Sequence, residues 1–313
     1  AKSLQEWLEP AMAIDDDVLR LSIIYSHPEW IVSAYFDLLK NFTEVEELLI
    51  VNNAPTKPTF VTWPGRSTPS EFSEIAAQLT PYSPYGFTAD ATPGSLEAVR
   101  HRRAGVQDEG SQLVALVFAR AAADKRSWLD LCAGPGGKAA LLSAIAQEEG
   151  HSFVANEISE ARAELVKRVV GGATVWVGDA REVASREQTF DAILADVPCT
   201  GLGALRRRPE VRWRRSVSDL RSLIQLQSEI SDAAISVLSV DGVFGYATCS
   251  PHMAETSVAV ADILRRNPGL EQIDVTPFLP ADLKDAVRQG SMALWTQRHN
   301  TDSMFLALFR KKA

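Results

Sequence analysis

All three cysteines of this chain sit in short motifs whose residue types suit covalent chemistry. Cys132 lies in Asp130-Leu-Cys-Ala-Gly-Pro-Gly-Gly-Lys138, Cys199 in Ala195-Asp-Val-Pro-Cys-Thr-Gly201, and Cys249 in Tyr246-Ala-Thr-Cys-Ser-Pro251. Glycines let a backbone approach a ligand closely. A thiol attacks as its thiolate, which nearby arginines or a helix N-terminus would favour over the free value of about 8.5. A Gly-rich loop and two separately presented thiols therefore suggest a nucleotide-like cofactor beside a covalent nucleophile. Cys132, just before the glycines, is expected to be a small buried hydrophobe. No Cys-x-x-Cys or Cys/His spacing points to a metal.

The loop Ala133-Gly-Pro-Gly-Gly137 is not a phosphate-binding P-loop. Gly137-Lys138 is followed by Ala139, and the leading glycine would have to stand at Cys132. It is not a full dinucleotide fingerprint either. Acidic residues follow at intervals: Glu157, Asp179 and Asp196, with Asp130 before the loop. Each falls where a strand is expected to end, and an acid there commonly holds ribose hydroxyls. Without a pyrophosphate fingerprint, S-adenosylmethionine fits this set better than a dinucleotide.

The elements that must position these groups follow from periodicity. Residues 1–50 read as helical, with 30–39 carrying apolar groups at helical spacing and Ser26-His-Pro28 as a capped start. Residues 52–69 hold four prolines and read as loop, with 59–63 a strand candidate. A helix is expected over 70–79, and 81–103 is too irregular to assign. From about Gly105 the texture changes to alternating elements. Helices are expected over 106–119, 138–149, 159–170, 219–238 and 255–266. Strands are expected over 127–132, 152–156, 174–177, 190–195 and 242–247. The end reads as a hairpin, 292–297 and 304–309, turning through His299-Asn-Thr301. This order implies an α/β, doubly wound, mostly parallel sheet with an antiparallel edge. The divide falls between a smaller unit, residues 1–104, and a larger one, residues 105–313.

The chain has 313 residues, 46% hydrophobic and 23% charged, enough for two domains with a sizeable core. No apolar run approaches the roughly 20 residues of a membrane span. The first residues carry no signal-peptide pattern. Few and odd-numbered cysteines suggest a reducing cytoplasm. The net charge of -8 is not the footprint of a general nucleic-acid binder. Its distribution is uneven, however. The first fifty residues are acidic, whereas Arg206, Arg207, Arg208, Arg212 and Arg214 follow directly on the Cys199 motif. That run is a candidate for RNA phosphates.

The three motifs together resemble the RNA cytosine-5 methyltransferases, closest to the bacterial Fmu/Sun type that modifies small-subunit ribosomal RNA. Arg206-Arg-Arg-Pro-Glu210, Gln225-Leu-Gln-Ser-Glu229, Ser26-His-Pro-Glu-Trp30 and Val106-Gln-Asp-Glu109 match as well, so the likeness spans nearly the whole chain. It departs at Ser303-Met-Phe305, where the family often has Gly-Phe-Phe. The resemblance implies a Rossmann-like methyltransferase with a seven-stranded sheet and an N-terminal α+β domain that positions RNA. It implies a S-adenosylmethionine site at Ala133, Gly134, Pro135, Gly136, Gly137 and Lys138, with Glu157, Arg162, Asp179 and Asp196. It also implies Cys249 as nucleophile and Cys199 as helper in product release. Many relatives carry a further N-terminal helical domain, so a longer natural chain is expected.

On that mechanism the Cys249 thiolate adds to carbon 6 of cytosine and makes carbon 5 nucleophilic. Asp196 stabilises the ring's nitrogen edge, and Lys138 contacts the base. The base must be unstacked. The two cysteines could exchange roles, since DNA cytosine methyltransferases use the thiol of their Pro-Cys motif. Other readings are a transfer-RNA substrate, methylation of an exocyclic amine, and a non-catalytic RNA-binding assembly factor. A monomer is the default.

Overall fold

The computed structural model describes residues 3–75 and 77–313. Four helices lead: α1 (Leu4–Met12), α2 (Asp17–Tyr25), α3 (Glu29–Leu39) and α4 (Phe42–Asn53). Their starts are set locally. Ser3 and Glu6 form a reciprocal capping box, and the side chains of Asp16 and Asn41 cap α2 and α4. The expected cap at Ser26-His-Pro28 takes another form. Ser26 ends α2 in a left-handed conformation, and α3 starts behind Pro28 without a side-chain cap. The apolar stripe Ile31, Val32 and Tyr35 packs with Leu21, Val45, Leu48 and Leu49, and this cluster closes on Leu202, Leu205, Val211 and Trp295. The helical layer thus braces the segment that follows Cys199. The Tyr35 hydroxyl donates to the Leu202 carbonyl at 2.9 Å, which fixes the contact.

A small antiparallel sheet comes next: β1 (Thr59–Thr62), β2 (Gln78–Leu79), β3 (Gly86–Thr88), the short helix α5 (Glu97–Arg100) and β4 (Ala104–Val106), in the order β2-β3-β1-β4. The helix expected over 70–79 is not formed. A 3-10 helix covers Pro69–Ile75, and Gln78–Leu79 pairs with β3, whose backbone offers an open edge. Ala76, inside that expected span, lies outside the described residues. The helix expected from 106 starts at Glu109, because Val106 still pairs with Phe60 in the sheet and Asp108 caps the helix.

The remainder alternates: α6 (Glu109–Ala121), β5 (Ser127–Asp130), α7 (Gly137–Glu149), β6 (Ser152–Glu157), α8 (Glu160–Lys167), β7 (Thr174–Val177), β8 (Phe190–Asp196), α9 (Val211–Arg214), α10 (Val217–Ser236) and β9 (Leu238–Thr248). Then come α11 (Ser257–Arg266), β10 (Leu270–Ile273), β11 (Val287–Arg288), β12 (Ser291–Ala293), α12 (Thr296–His299) and β13 (Phe305–Lys311). Strands β7-β6-β5-β8-β9 run parallel, and β13 adds antiparallel beside β9.

Among the described residues the sheet has nine strands, not the expected seven. The hairpin β11-β12 accounts for the difference, because β12 pairs with the start of β13 while β10 pairs with its end. The expected C-terminal hairpin pairs as foreseen, but its first arm stops at Ala293 and residues 296–299 coil into α12.

Alternation places the two faces. Trp128, Ala192 and Leu194 join the cluster containing α6 and α7, whereas Leu129, Ile193 and Ala195 join that containing α10 and α11. Both sheet faces are therefore covered. The order of strands reverses between β5 and β8, the place where open α/β sheets leave a crevice beyond their carboxyl ends.

Candidate active site

The Gly loop opens that crevice. It leaves β5 at Asp130 and turns into α7 at Gly136, whose φ of 117° suits only glycine. A Cβ at Gly136 would come 2.9 Å from the Val169 side chain, and one at Gly134 would run into the Glu157 carboxylate. The backbone here is bare by necessity. A cavity of about 420 Å³ lies against it, lined by Ala133 through Lys138, Asp130, Cys132, Asp196, Gln107, Asp108 and Arg207.

Two ionisable groups in the cavity wall differ in kind. Lys138 is buried, and its ammonium donates to Asp196 Oδ2 at 2.7 Å. Burial pulls that ammonium down, Asp196 lifts it, and the net direction is up, so it stays charged. It is not a solvent lysine at a helix start. Asp130 is the opposite case. It is 1% exposed, and neither carboxylate oxygen has a hydrogen-bond partner among the described residues. Burial, and then the charge of Asp196, raise it to about 7 against the opposing pull of Lys138. A buried carboxylate with two orphaned oxygens beside an open cavity suits a cationic ligand group.

The other acids are placed unequally. Glu157 accepts from the Gly134 amide at 3.0 Å and the Ser159 amide at 2.9 Å, and pairs with Arg162 at 2.5 Å. Glu157 therefore anchors the loop, and Arg162 reaches it only through Glu157. Asp179 is not in the cavity wall. It caps a 3-10 turn and pairs with Arg181 at 2.6 Å, which holds its carboxyl below the usual range.

The thiols converge. Cys199 follows β8 and Cys249 follows β9, and because these strands are neighbours their sulfurs lie 3.3 Å apart. The Cys249 carbonyl accepts from the Gly203 amide at 2.9 Å, and the Gly203 carbonyl accepts from the Ser303 amide. Gly203 has no room for a Cβ, which would strike the Ser303 carbonyl. Cys199 is buried, Cys249 and Cys132 partly so. Its hydrogen bond to Cys249, and then burial, push the Cys199 thiol well up. Cys132 packs against the second core cluster, in keeping with a small hydrophobe.

The arginine run divides. Arg212 is 4% exposed and donates to Asn53 Oδ1 at 2.7 Å and to the carbonyls of Ser26 and Asn52. It ties the α2–α3 corner to α9 and is not available to phosphate, which corrects the expectation for this residue. Arg207 pairs with the buried Asp302, its Nε 3.0 Å from Oδ1, and lines the cavity. Arg206 donates to Asn300 Oδ1 at 2.6 Å and to its carbonyl at 2.9 Å. Arg208 and Arg214 are exposed.

Comparisons with known proteins place this arrangement. A family model described as 16S rRNA methyltransferase RsmB/F matches residues 117–310. The chain belongs to that family. It is 40% identical over 306 residues to a Mycobacterium tuberculosis (strain H37Rv) protein provisionally named a methyltransferase, covering 96% of this chain and 66% of that protein. It is 42% identical over 159 residues to ribosomal RNA small subunit methyltransferase B of Escherichia coli O6:K15:H31, covering 49% of this chain and 37% of that protein. The chain thus spans two thirds or less of the length of these relatives. NSun6 from Pyrococcus horikoshii, solved with SFG, superposes with a TM-score of 0.77 at 17% identity, over 91% of this chain and 98% of that one. That likeness confirms the Rossmann-like methyltransferase fold.

For an RsmB/F-family chain, three site groups carry no sequence signal of their role. Asp130 reads as an acid at a strand end, but nothing local shows that both its oxygens stay unpartnered. Asp302 holds Arg207 across 95 residues, a relation with no sequence signature. Glu255 reads only as the start of a helix, yet it is fully buried beside the cysteine loops. Among the described residues, no helix is long and apolar enough to cross a membrane.

Proposed function

We propose that this chain is an RNA cytosine-5 methyltransferase, acting on a cytidine of 16S ribosomal RNA through a covalent bond to Cys249. The observation that carries the reading is the pair of sulfurs 3.3 Å apart at the ends of β8 and β9, beside the Lys138–Asp196 pair. An amine methyltransferase needs no second thiol, and a binding factor needs none. The family favours ribosomal RNA over transfer RNA.

The cavity residues fit S-adenosylmethionine. The bare backbone of Gly134–Gly137 admits a ligand closely, and the Asp130 oxygens take a cationic group. When bound, the cofactor supplies an electrophilic methyl group. The chain supplies the rest. Cys249 adds to carbon 6, attacking as its thiolate as any nucleophilic cysteine does. Asp196, held by Lys138, meets the nitrogen edge of the ring. Cys199 takes part in removing the carbon 5 proton, after which the Cys249–carbon 6 bond breaks. Glu157, which anchors the Gly loop, and Arg162 beside it complete the cofactor site.

Residues 1–104 serve as an RNA-positioning unit, and Arg206 with the exposed Arg208 and Arg214 binds RNA phosphates. Bisulfite sequencing of total RNA from cells with and without the gene tests the function. One cytidine of 16S RNA should lose its protection in the deletion. Unchanged protection at every ribosomal position would contradict the reading.

A further inference from the structure

One buried carboxylate has no part in the chemistry above. Glu255 lies between β9 and α11 and is 0% exposed. Its Oε1 accepts from the Thr200 amide at 2.9 Å and from Gln227 Nε2 at 2.9 Å, and its Oε2 accepts the Thr200 hydroxyl at 2.5 Å. These donors are all neutral. A carboxyl group buried this fully and held by neutral donors alone calls for a reason.

The bonds run on into both cysteine loops. Thr200 follows Cys199, and Ser250 follows Cys249. The two hydroxyls lie 3.0 Å apart. A hydroxyl has one proton, and Thr200 gives its proton to Glu255, so Ser250 is the donor of this pair. The Gln227 amide also donates to the Pro198 carbonyl at 2.9 Å, and the Tyr246 hydroxyl bonds to Gln227 Oε1 and the Glu255 carbonyl, both at 3.0 Å. The backbone on either side of Cys199 is thereby fixed to one carboxylate, and that of Cys249 is one hydroxyl further on.

We infer that Glu255 is a positioning residue that decides which of the two sulfurs serves as the nucleophile. Resting on the reading of Cys199 and Cys249 given above, this adds a residue that touches neither base nor cofactor. The charges around the sulfurs are arranged to match. Cys199 is faced by Cys249, Glu255 and Asp196, so negative charge surrounds it. Lys138 and Arg207 lie toward Cys249. Negative charge is thereby disfavoured at Cys199. Beyond the hydrogen bond between the thiols and burial, the Glu255 charge adds to the upward push on Cys199.

The substitution Glu255→Gln removes the charge and keeps the shape. The new amide nitrogen donates to Thr200 Oγ1, whose proton then turns to Ser250, so the chain of bonds can survive. Wild type and variant, each as the whole chain, are treated with iodoacetamide at about pH 8, near the thiol range. Each thiolate displaces iodide, and mass spectrometry counts the two thioethers. The ratio of Cys199 to Cys249 modification should rise about tenfold in the variant, as a change of one pKa unit brings. An unchanged ratio in a variant that melts like wild type would overturn the inference.

Should Glu255→Gln fail to fold, Thr200→Val keeps the charge but cuts the hydroxyl link. Its kcat should fall about tenfold or more, with KM for S-adenosylmethionine within about twofold of wild type. A wild-type kcat would overturn the inference. Alkylation involves no RNA, so its outcome is separate from that of the RNA reading.

Discussion

Cys199 Sγ stands 3.3 Å from Cys249 Sγ, across 50 residues of chain. Parallel pairing of β8 with β9, with Asp196 opposite Ala247, brings the two loops together. On the proposed mechanism one sulfur adds to the base, which leaves the other to act after methyl transfer. Cys199→Ser should leave single-turnover methyl transfer within about tenfold of wild type and slow release of product about a hundredfold, the scale of a lost acid–base group. Quench-flow with gel separation of the adduct measures both.

Lys138→Met should lower the methyl-transfer rate about a hundredfold or more, since it leaves Asp196 without the cation that orients it. Cofactor affinity by calorimetry should change by less than about tenfold, because the Gly loop stays intact. Equal losses in both would assign Lys138 to the cofactor alone.

Asp130 gives a pH dependence with a definite sign. Burial, and then Asp196, raise it to about 7 in the free protein. A cationic ligand group favours the ionised form, so binding lowers that value and releases a proton. Affinity for S-adenosylmethionine should therefore rise as pH climbs toward about 7 and level off above it. Asp130→Asn should bind more weakly and flatten the profile. The same raised value means that the ionised carboxylate opposes folding of the unliganded protein. Stability from this group is fully present below the ordinary carboxylate range and is lost as pH rises from there through about 7, a penalty the variant should relieve. Calorimetry and melting across pH check both.

Arg212→Ala should destabilise the chain by roughly 4 kcal/mol, the scale of losing three charge-assisted hydrogen bonds, two of them long. His27, held down to about 4 by burial and by Arg212, would rise toward its ordinary range in this variant. Urea midpoints and the imidazole NMR titration read the two effects. Arg208→Ala with Arg214→Ala should instead leave stability within about 0.5 kcal/mol. It should make RNA binding less salt-dependent, lowering the slope by about 0.7 for each phosphate the pair no longer neutralises.

The parallel sheet was legible because its strands are short apolar runs separated by helical periods, and Trp128 and Leu129 sort to opposite faces by alternation alone. The thiol motifs and the Gly loop were legible for the same local reason, since each closes a strand. The small sheet was not. Gln78–Leu79 is too short to carry a period, and its strand state comes from pairing with β3. Nor were the arginines separable. Arg208 and Arg212 look alike in sequence, but one ends exposed and the other spends its protons on Ser26, Asn52 and Asn53. Asp179 sits at a strand end as expected, yet Arg181 two residues on captures it.

The central claim is a bond between Cys249 and the target base. RNA carrying 5-fluorocytidine at the target position has fluorine in place of the carbon 5 proton, so elimination of the sulfur is blocked and the bond should be trapped in the wild-type protein. Mass spectrometry of the digested adduct should find the nucleotide on the peptide containing Cys249, with none in Cys249→Ala. An adduct on Cys199 that survives Cys249→Ala and disappears in Cys199→Ser would contradict it.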